Sequence, residues 1–117
     1  MTRRKYGNRK TVVNGIRFDS RKEADRWQQL LLLERAGKLS DLQRQVKFEL
    51  IPAQRINGKC VERAVSYIAD FVYRDEHGRM VVEDVKGYRD PQNAGYAKFV
   101  LKRKLMLWVH KIRVKEI

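Results

Sequence analysis

Cysteine is almost missing from this sequence, Cys60 being the only one. A lone thiol forms no internal disulfide, and with no second cysteine or suitably spaced histidines it builds no zinc module, which fits a reducing compartment. Long apolar runs are missing too. Runs such as Leu30 to Leu33 are far short of the ~20 residues a membrane helix requires, and the basic N-terminus has no apolar stretch behind it of the kind that marks a secretory signal. No membrane association and a cytoplasmic location are expected. Internal repeats are also absent. Acids are outnumbered: 14 Asp and Glu stand against 27 Lys and Arg, a formal charge of +13. Such an excess is the electrostatic footprint of a nucleic-acid binder. An anionic membrane surface fits less well, because neither expected long helix has a clean basic face opposite exposed aromatics.

What remains is a chain of 117 residues, enough for one modest core. Residues 1–10 (MTRRKYGNRK) form a flexible basic arm, with Arg3, Arg4 and Lys5 offered to phosphates. Residues 11–117 form a single domain. Asn14-Gly15 between short apolar segments predicts a β-ribbon over 11–18. A first helix starts at Asp19 or Ser20 and stops at Gly37, with Ala24, Trp27, Leu30, Leu31 and Leu33 on its apolar stripe. Glu23 lies at the leading end of that stripe. An inward acid needs a reason, and Ser20-Arg21-Lys22-Glu23 supplies one as a capping box; a role in chemistry is the other.

Leu42 to Leu50 alternates as a half-buried strand, with Gln45 on the face away from Val46. Val61 to Tyr73 reads as the next strand and Val81 to Lys86 as a third. A second helix over 94–110 buries Ala97, Leu101, Leu105 and Trp108 and exposes Lys98, Lys102 and Arg103. Lys111 to Ile117 closes the chain as a strand. The class is α/β.

The loop between Tyr73 and Met80 locates the chemistry. Centring it on His77 places Val72 opposite Val82 and Asp70 opposite Asp84. Alternation then puts Val82, Asp84 and Lys86 on one face with Ile68, Asp70 and Val72, while Glu83 and Val85 point the other way. Facing acids repel at the roughly 5 Å between opposed Cβ atoms. A hard divalent cation such as Mg²⁺ makes the pair tolerable; the alternatives are neutralisation by Lys86 as a structural ion cluster, or a slipped register with one acid solvated.

Glu23, Asp70 and Asp84-Val85-Lys86, in this order of elements, resemble the PD-(D/E)xK nuclease superfamily. Within it the chain is similar to small phage-encoded Holliday junction resolvases, through Phe18-Asp19-Ser20-Arg21-Lys22-Glu23-Ala24, Tyr67 to Tyr73 and Val82 to Gly87. Ala69 stands where the motif has proline, and Glu83 adjoins Asp84 as a competing acid; Asp84 is preferred because it shares a face with Lys86. The resemblance implies a restriction-endonuclease-like α-β-β-β-α-β core behind the N-terminal β-ribbon and basic arm, with 11–117 as a nuclease domain. It implies a metal-dependent endonuclease, with Glu23, Asp70, Asp84 and Lys86 catalytic. The metal, Mg²⁺ or Mn²⁺, would be held by Asp70, Asp84 and the Val85 carbonyl, with Glu23 as a ligand or through water. The implied partners are branched four-way DNA, met by Gln45, Lys98 and Lys102 as well as the arm, and a second subunit in a homodimer; a phage origin implies the host cell cytoplasm. Two other readings use the same charge: a non-catalytic DNA-binding or recombination-accessory protein, and a nuclease of this fold acting on linear sites.

Overall fold

The computed structural model describes residues 10–87 and 89–117. The expected arm, with Arg3, Arg4 and Lys5, lies outside the described residues. The ribbon forms as expected: β1 (Thr11–Val13) pairs antiparallel with β2 (Ile16–Phe18). Its turn residues Asn14 and Gly15 both take positive φ, 52° and 79°, the geometry that a two-residue hairpin requires.

Helix α1 (Arg21–Arg35) is capped by Ser20, whose hydroxyl accepts from the Glu23 N–H at 3.1 Å. It ends at Gly37, φ 75°, with the Lys38 N–H donating to the Leu33 carbonyl at 2.9 Å and the Gly37 N–H to Glu34 at 3.0 Å. That is the Schellman closure, and it explains why the helix stops there. Ala24, Trp27 and Leu30 are buried, but Leu33 is exposed, contrary to expectation.

A four-stranded sheet follows, ordered β3-β6-β7-β8 from β3 (Ser40–Ile51), β6 (Val65–Arg74), β7 (Met80–Asp84) and β8 (Lys115–Glu116). It is mixed: β3, β6 and β7 are antiparallel neighbours, whereas β8 returns parallel to β7 through α2 (Ala94–His110). The strand expected over 61–73 is interrupted. Its first residues belong to a separate hairpin of β4 (Gln54–Ile56) and β5 (Lys59–Glu62). The last strand is also shorter than expected, limited to Lys115–Glu116.

Apolar cores lie on both sides of the sheet. Against α1, Phe18, Ala24, Trp27, Leu30 and Leu39 pack on Phe71 and Tyr73, with Trp27 stacked on Phe71 at 5.7 Å between ring centroids. Against α2, Phe99 and Met106 pack on Leu50, Tyr67, Ala69, Val72 and Val82. The expected apolar face of α2 is corrected here: Ala97, Leu101 and Trp108 are exposed and Leu105 only half-buried. The inward row runs through Tyr96, Phe99, Val100 and Met106. Arg103 also turns inward and pairs with Glu116 at 3.0 Å, so it is not the open-face cation expected. Aromatic and leucine positions surround this helix almost evenly, and the sheet beneath it chose the side.

Alternation along β3 and β6 breaks at the row of Gln45 and Asp70. Leu42 joins the α1 core while Val46 and Phe48 join the α2 core, although their spacing is even, and between them Gln45 takes φ 55°. On β6 the same switch falls between Ala69 and Phe71. Pairing runs Arg44 to Phe71 and Val46 to Ala69, omitting Gln45 and Asp70. Ile68 and Val72 therefore do not share a face as expected: Ile68 is 54% exposed while Val72 is buried. A left-handed residue in a strand turns the following side chains to the opposite face.

Candidate active site

That interruption is where the acids meet. The β6–β7 ladder has the expected register, Val72 opposite Val82, and its last pair is Phe71 with Glu83. One residue beyond, Asp70 and Asp84 come next to each other at the point where the strands stop pairing. The Val85 N–H, which has left the ladder, donates to Asp70 Oδ2 at 2.8 Å. A side chain thus supplies the acceptor the neighbouring backbone would have provided.

A cleft of about 400 Å³ opens over this row, lined by Asp19, Lys22, Glu23, Gln45, Asp70, Asp84, Val85 and Lys86 among others. Every residue expected at the catalytic centre lines it. Lys86 Nζ lies 2.8 Å from Asp84 Oδ1 and 3.8 Å from the Phe99 ring centroid. An adjoining hollow shares Ile68, Asp84 and Lys86 with the cleft and is continued by Lys98 and Lys102. The expected DNA contacts Gln45, Lys98 and Lys102 are thus beside the acids. A larger hollow, near Arg103, Lys104, Arg113 and Lys115, has Glu116 as its only acid and shares no lining residue with the cleft.

Glu83, the competing acid, is accounted for. Its fully buried carboxylate accepts from Arg26 Nε at 2.8 Å and Nη2 at 2.6 Å, and from the Tyr73 hydroxyl. It faces α1, away from Lys86. Glu23 is buried at the cleft edge, and no hydrogen bond joins its carboxylate to Ser20 among the described residues. Only half of the capping box is formed, Ser20 onto the helix, so the inward acid is not explained by capping.

The electrostatics follow from this crowding. Burial, then the charges of Asp70 and Asp19, push the Glu23 carboxyl from 4.5 up to about 7, with Arg44 opposing. Burial and the neighbouring Asp84 charge push Asp70 from 3.8 up to about 6, although the Val85 amide and Lys86 pull the other way. Acids held this way release their protons reluctantly near neutrality unless a cation is at hand.

The donors are hard oxygens, the set that Mg²⁺ or Mn²⁺ takes. Among the described residues, however, no three acidic, histidine or cysteine side chains form a ready-made metal cage. The reason is visible in the partners: Asp84 is held on one oxygen by Lys86 and on the other by the Tyr67 hydroxyl at 2.6 Å, and Asp70 is held on one by Val85. The donor set fits a divalent ion, provided that Lys86 gives up its contact with Asp84.

Four neighbours of the site had no role of their own in the sequence reading. Tyr67 fixes Asp84. Arg44, over the Phe18 ring at 5.0 Å, has a buried Nε without a hydrogen-bond partner and lowers the charge cost at Glu23. Lys22 Nζ donates to the Lys86 carbonyl at 2.9 Å, and Asp19 adds negative charge at the cleft mouth. Asp19, Lys22 and Tyr67 lie in or beside the motif segments; the Tyr67 contact with Asp84 and the approach of Arg44 to Glu23 were not readable, because only tertiary packing makes them.

Among the described residues, no helix is long and apolar enough to cross a membrane. Comparison with curated proteins and with solved structures yields no significant match. Residues 3–114 match a family described as "Protein of unknown function (DUF1064)". With that match spanning nearly the whole length, the chain belongs to the DUF1064 family.

Proposed function

We propose that the protein is a metal-dependent DNA endonuclease with a restriction-endonuclease-like core, acting on branched DNA such as a Holliday junction. The observation that carries this reading is the cleft in which Glu23, Asp70, Asp84, Val85 and Lys86 converge where the sheet stops pairing. Phosphodiester hydrolysis requires an activated water and a counter-charge for the developing phosphorane, and a divalent ion held by Asp70, Asp84 and the Val85 carbonyl supplies both when bound. Glu23 completes its surroundings, directly or through water. Lys86, once released from Asp84, would orient the attacking water and meet transition-state charge. Lys98 and Lys102, continuing the cleft on one side, draw the phosphate backbone toward it, and the +13 charge strengthens that attraction over distance. A symmetric homodimer follows from the task, because resolving a junction means cutting two opposed strands.

One observation favours a second reading, a non-catalytic DNA-binding protein. The Lys86–Asp84 pair and the Tyr67–Asp84 bond together form a satisfied polar cluster that needs no ion. A single panel separates the two: four-way, flapped and linear DNA, each incubated with Mg²⁺, Mn²⁺ or EDTA. Metal-dependent cutting that is lost in Asp70→Asn and Asp84→Asn with binding retained is the expected result. Binding without cutting under every condition leaves the second reading standing, and cutting of linear sites alone moves the substrate away from junctions.

A further inference from the structure

Beyond Ile51, where β3 ends, the chain runs through Pro52 and Ala53 into a separate ribbon that returns to β6 at Val65. Ile51 and Val65 pack against the α2 core, but none of residues 52–64 joins either core. Every residue of β4 and β5 is exposed. The ribbon still keeps its own pairing, Gln54 with Glu62, Arg55 with Cys60 and Ile56 with Lys59, and Arg55 braces the Asn57-Gly58 turn through the Gly58 carbonyl at 3.3 Å. It carries Arg55, Lys59 and Arg63 against a single acid, Glu62, and no ion pair among the described residues engages any of them. Ile56 and Val61 are left 63% and 49% exposed. A two-stranded ribbon with nothing covering it is marginal in water, so an ordered one with free cations and exposed apolar side chains calls for a partner.

We infer that residues 52–64 form an arm that enters a groove of the same DNA duplex whose backbone lies in the acidic cleft. This rests on the reading that the chain acts on DNA. The major groove, about 12 Å wide, admits a two-stranded ribbon. The arm is also joined to the site through β3, which carries Gln45 in the cleft and ends at Ile51, one residue before the arm's base. At ~3.3 Å per residue the base lies roughly 20 Å along the strand from Gln45, and the turn, beyond the break at Pro52 and Ala53, at most roughly 40 Å away. That reach corresponds to about 6–12 base pairs from the cut. A second copy of the chain is the poorer occupant, because each copy brings +13 and the arm offers only Glu62 to oppose it.

The test uses the full chain in EDTA, so that binding is read without cutting, on a linear duplex and on a four-way junction with arms of about 20 base pairs, longer than the arm's reach. The triple variant Arg55→Ala, Lys59→Ala, Arg63→Ala is expected to bind both at least about tenfold more weakly near physiological salt. The slope of log affinity against log salt should become shallower by about 2–3, one phosphate per lost cation. Its melting temperature should match the parent's, since these side chains belong to no core. Independently, Cys60 is the only thiol, so a photo-crosslinker placed on it in the otherwise unaltered chain should attach to DNA about 6–12 base pairs from the cleft-bound phosphate. An unchanged affinity and slope, or crosslinking to a second protein chain in place of DNA, overturns the arm. If the parent itself binds neither DNA, the DNA reading falls, which is a different failure from a parent that binds alongside an indifferent variant.

Discussion

At the scale of single residues, the two raised carboxyls tie stability to pH in a defined direction. Glu23 and Asp70 hold protons more tightly in the folded chain than in the unfolded one, at about 7 and about 6 against 4.5 and 3.8. The stability they contribute is whole below their unfolded values and is lost as pH rises through the folded ones. In EDTA the melting temperature should therefore fall between about pH 4 and pH 7, in the window those shifts define. Mg²⁺ should restore it at the upper end and do little at the lower, because only ionised oxygens gain from the ion. A flat profile in both conditions would remove the crowded-acid account. Glu23→Gln should abolish cleavage without lowering the melting temperature at pH 7.5, since the cap rests on the Ser20 hydroxyl and not on the Glu23 carboxylate. Glu83 calls for the contrary outcome. Arg26→Ala leaves its buried charge without its guanidinium and should cost about 3–5 kcal/mol in urea melts, a structural loss that Asp84→Asn should not share.

At the scale of elements, the row Gln45–Asp70 is the feature on which the site depends. Gln45 holds a backbone conformation that β-branched residues rarely adopt, and the strand changes face there. Gln45→Val should destabilise by roughly 1–3 kcal/mol and depress cleavage by shifting Asp70, while Gln45→Gly should be tolerated in both respects; equal behaviour of the two in chemical denaturation would mean that the break has another cause. Much at this scale was readable beforehand: the ribbon turn at Asn14-Gly15, the stop at Gly37, and the register about His77 each rest on local chemistry within a few residues. The face of α2 was not. Phe99, Leu101, Leu105, Met106, Leu107 and Trp108 surround that helix, and periodicity cannot choose between stripes of nearly equal apolarity. The break at Gln45 was hidden as well, because the clean alternation from Leu42 to Leu50 persists in sequence across a point where the backbone reverses its faces.

At the scale of the whole molecule, the excess of 27 basic over 14 acidic residues sets how it meets a polyanion. If six or more phosphates are neutralised, affinity for DNA should fall about 10³-fold or more between 50 and 200 mM salt. Filter binding or fluorescence anisotropy in EDTA reads this directly, and a salt-insensitive affinity would argue that charge is only a solvated surface. The same field that gathers DNA also lowers the cost of bringing phosphate oxygens beside Asp70 and Asp84, two acids that would otherwise repel them.

The sequence by itself determined the charge, the class, the order of elements and the identity of the acids, because these depend on composition and on hydrogen bonds and turns made between near neighbours in the chain. Alternation already set Asp84 with Asp70 and Lys86 and turned Glu83 away, but which face opens as the cleft, and what holds each acid there, was decided only by tertiary structure. Asp84 faces it with Lys86 while Glu83, one residue away, is held beneath the sheet by Arg26 and Tyr73, and Glu23 is brought to Asp70 by packing of Trp27 on Phe71. Those placements depend on contacts between segments far apart in sequence, whose geometry no local pattern encodes.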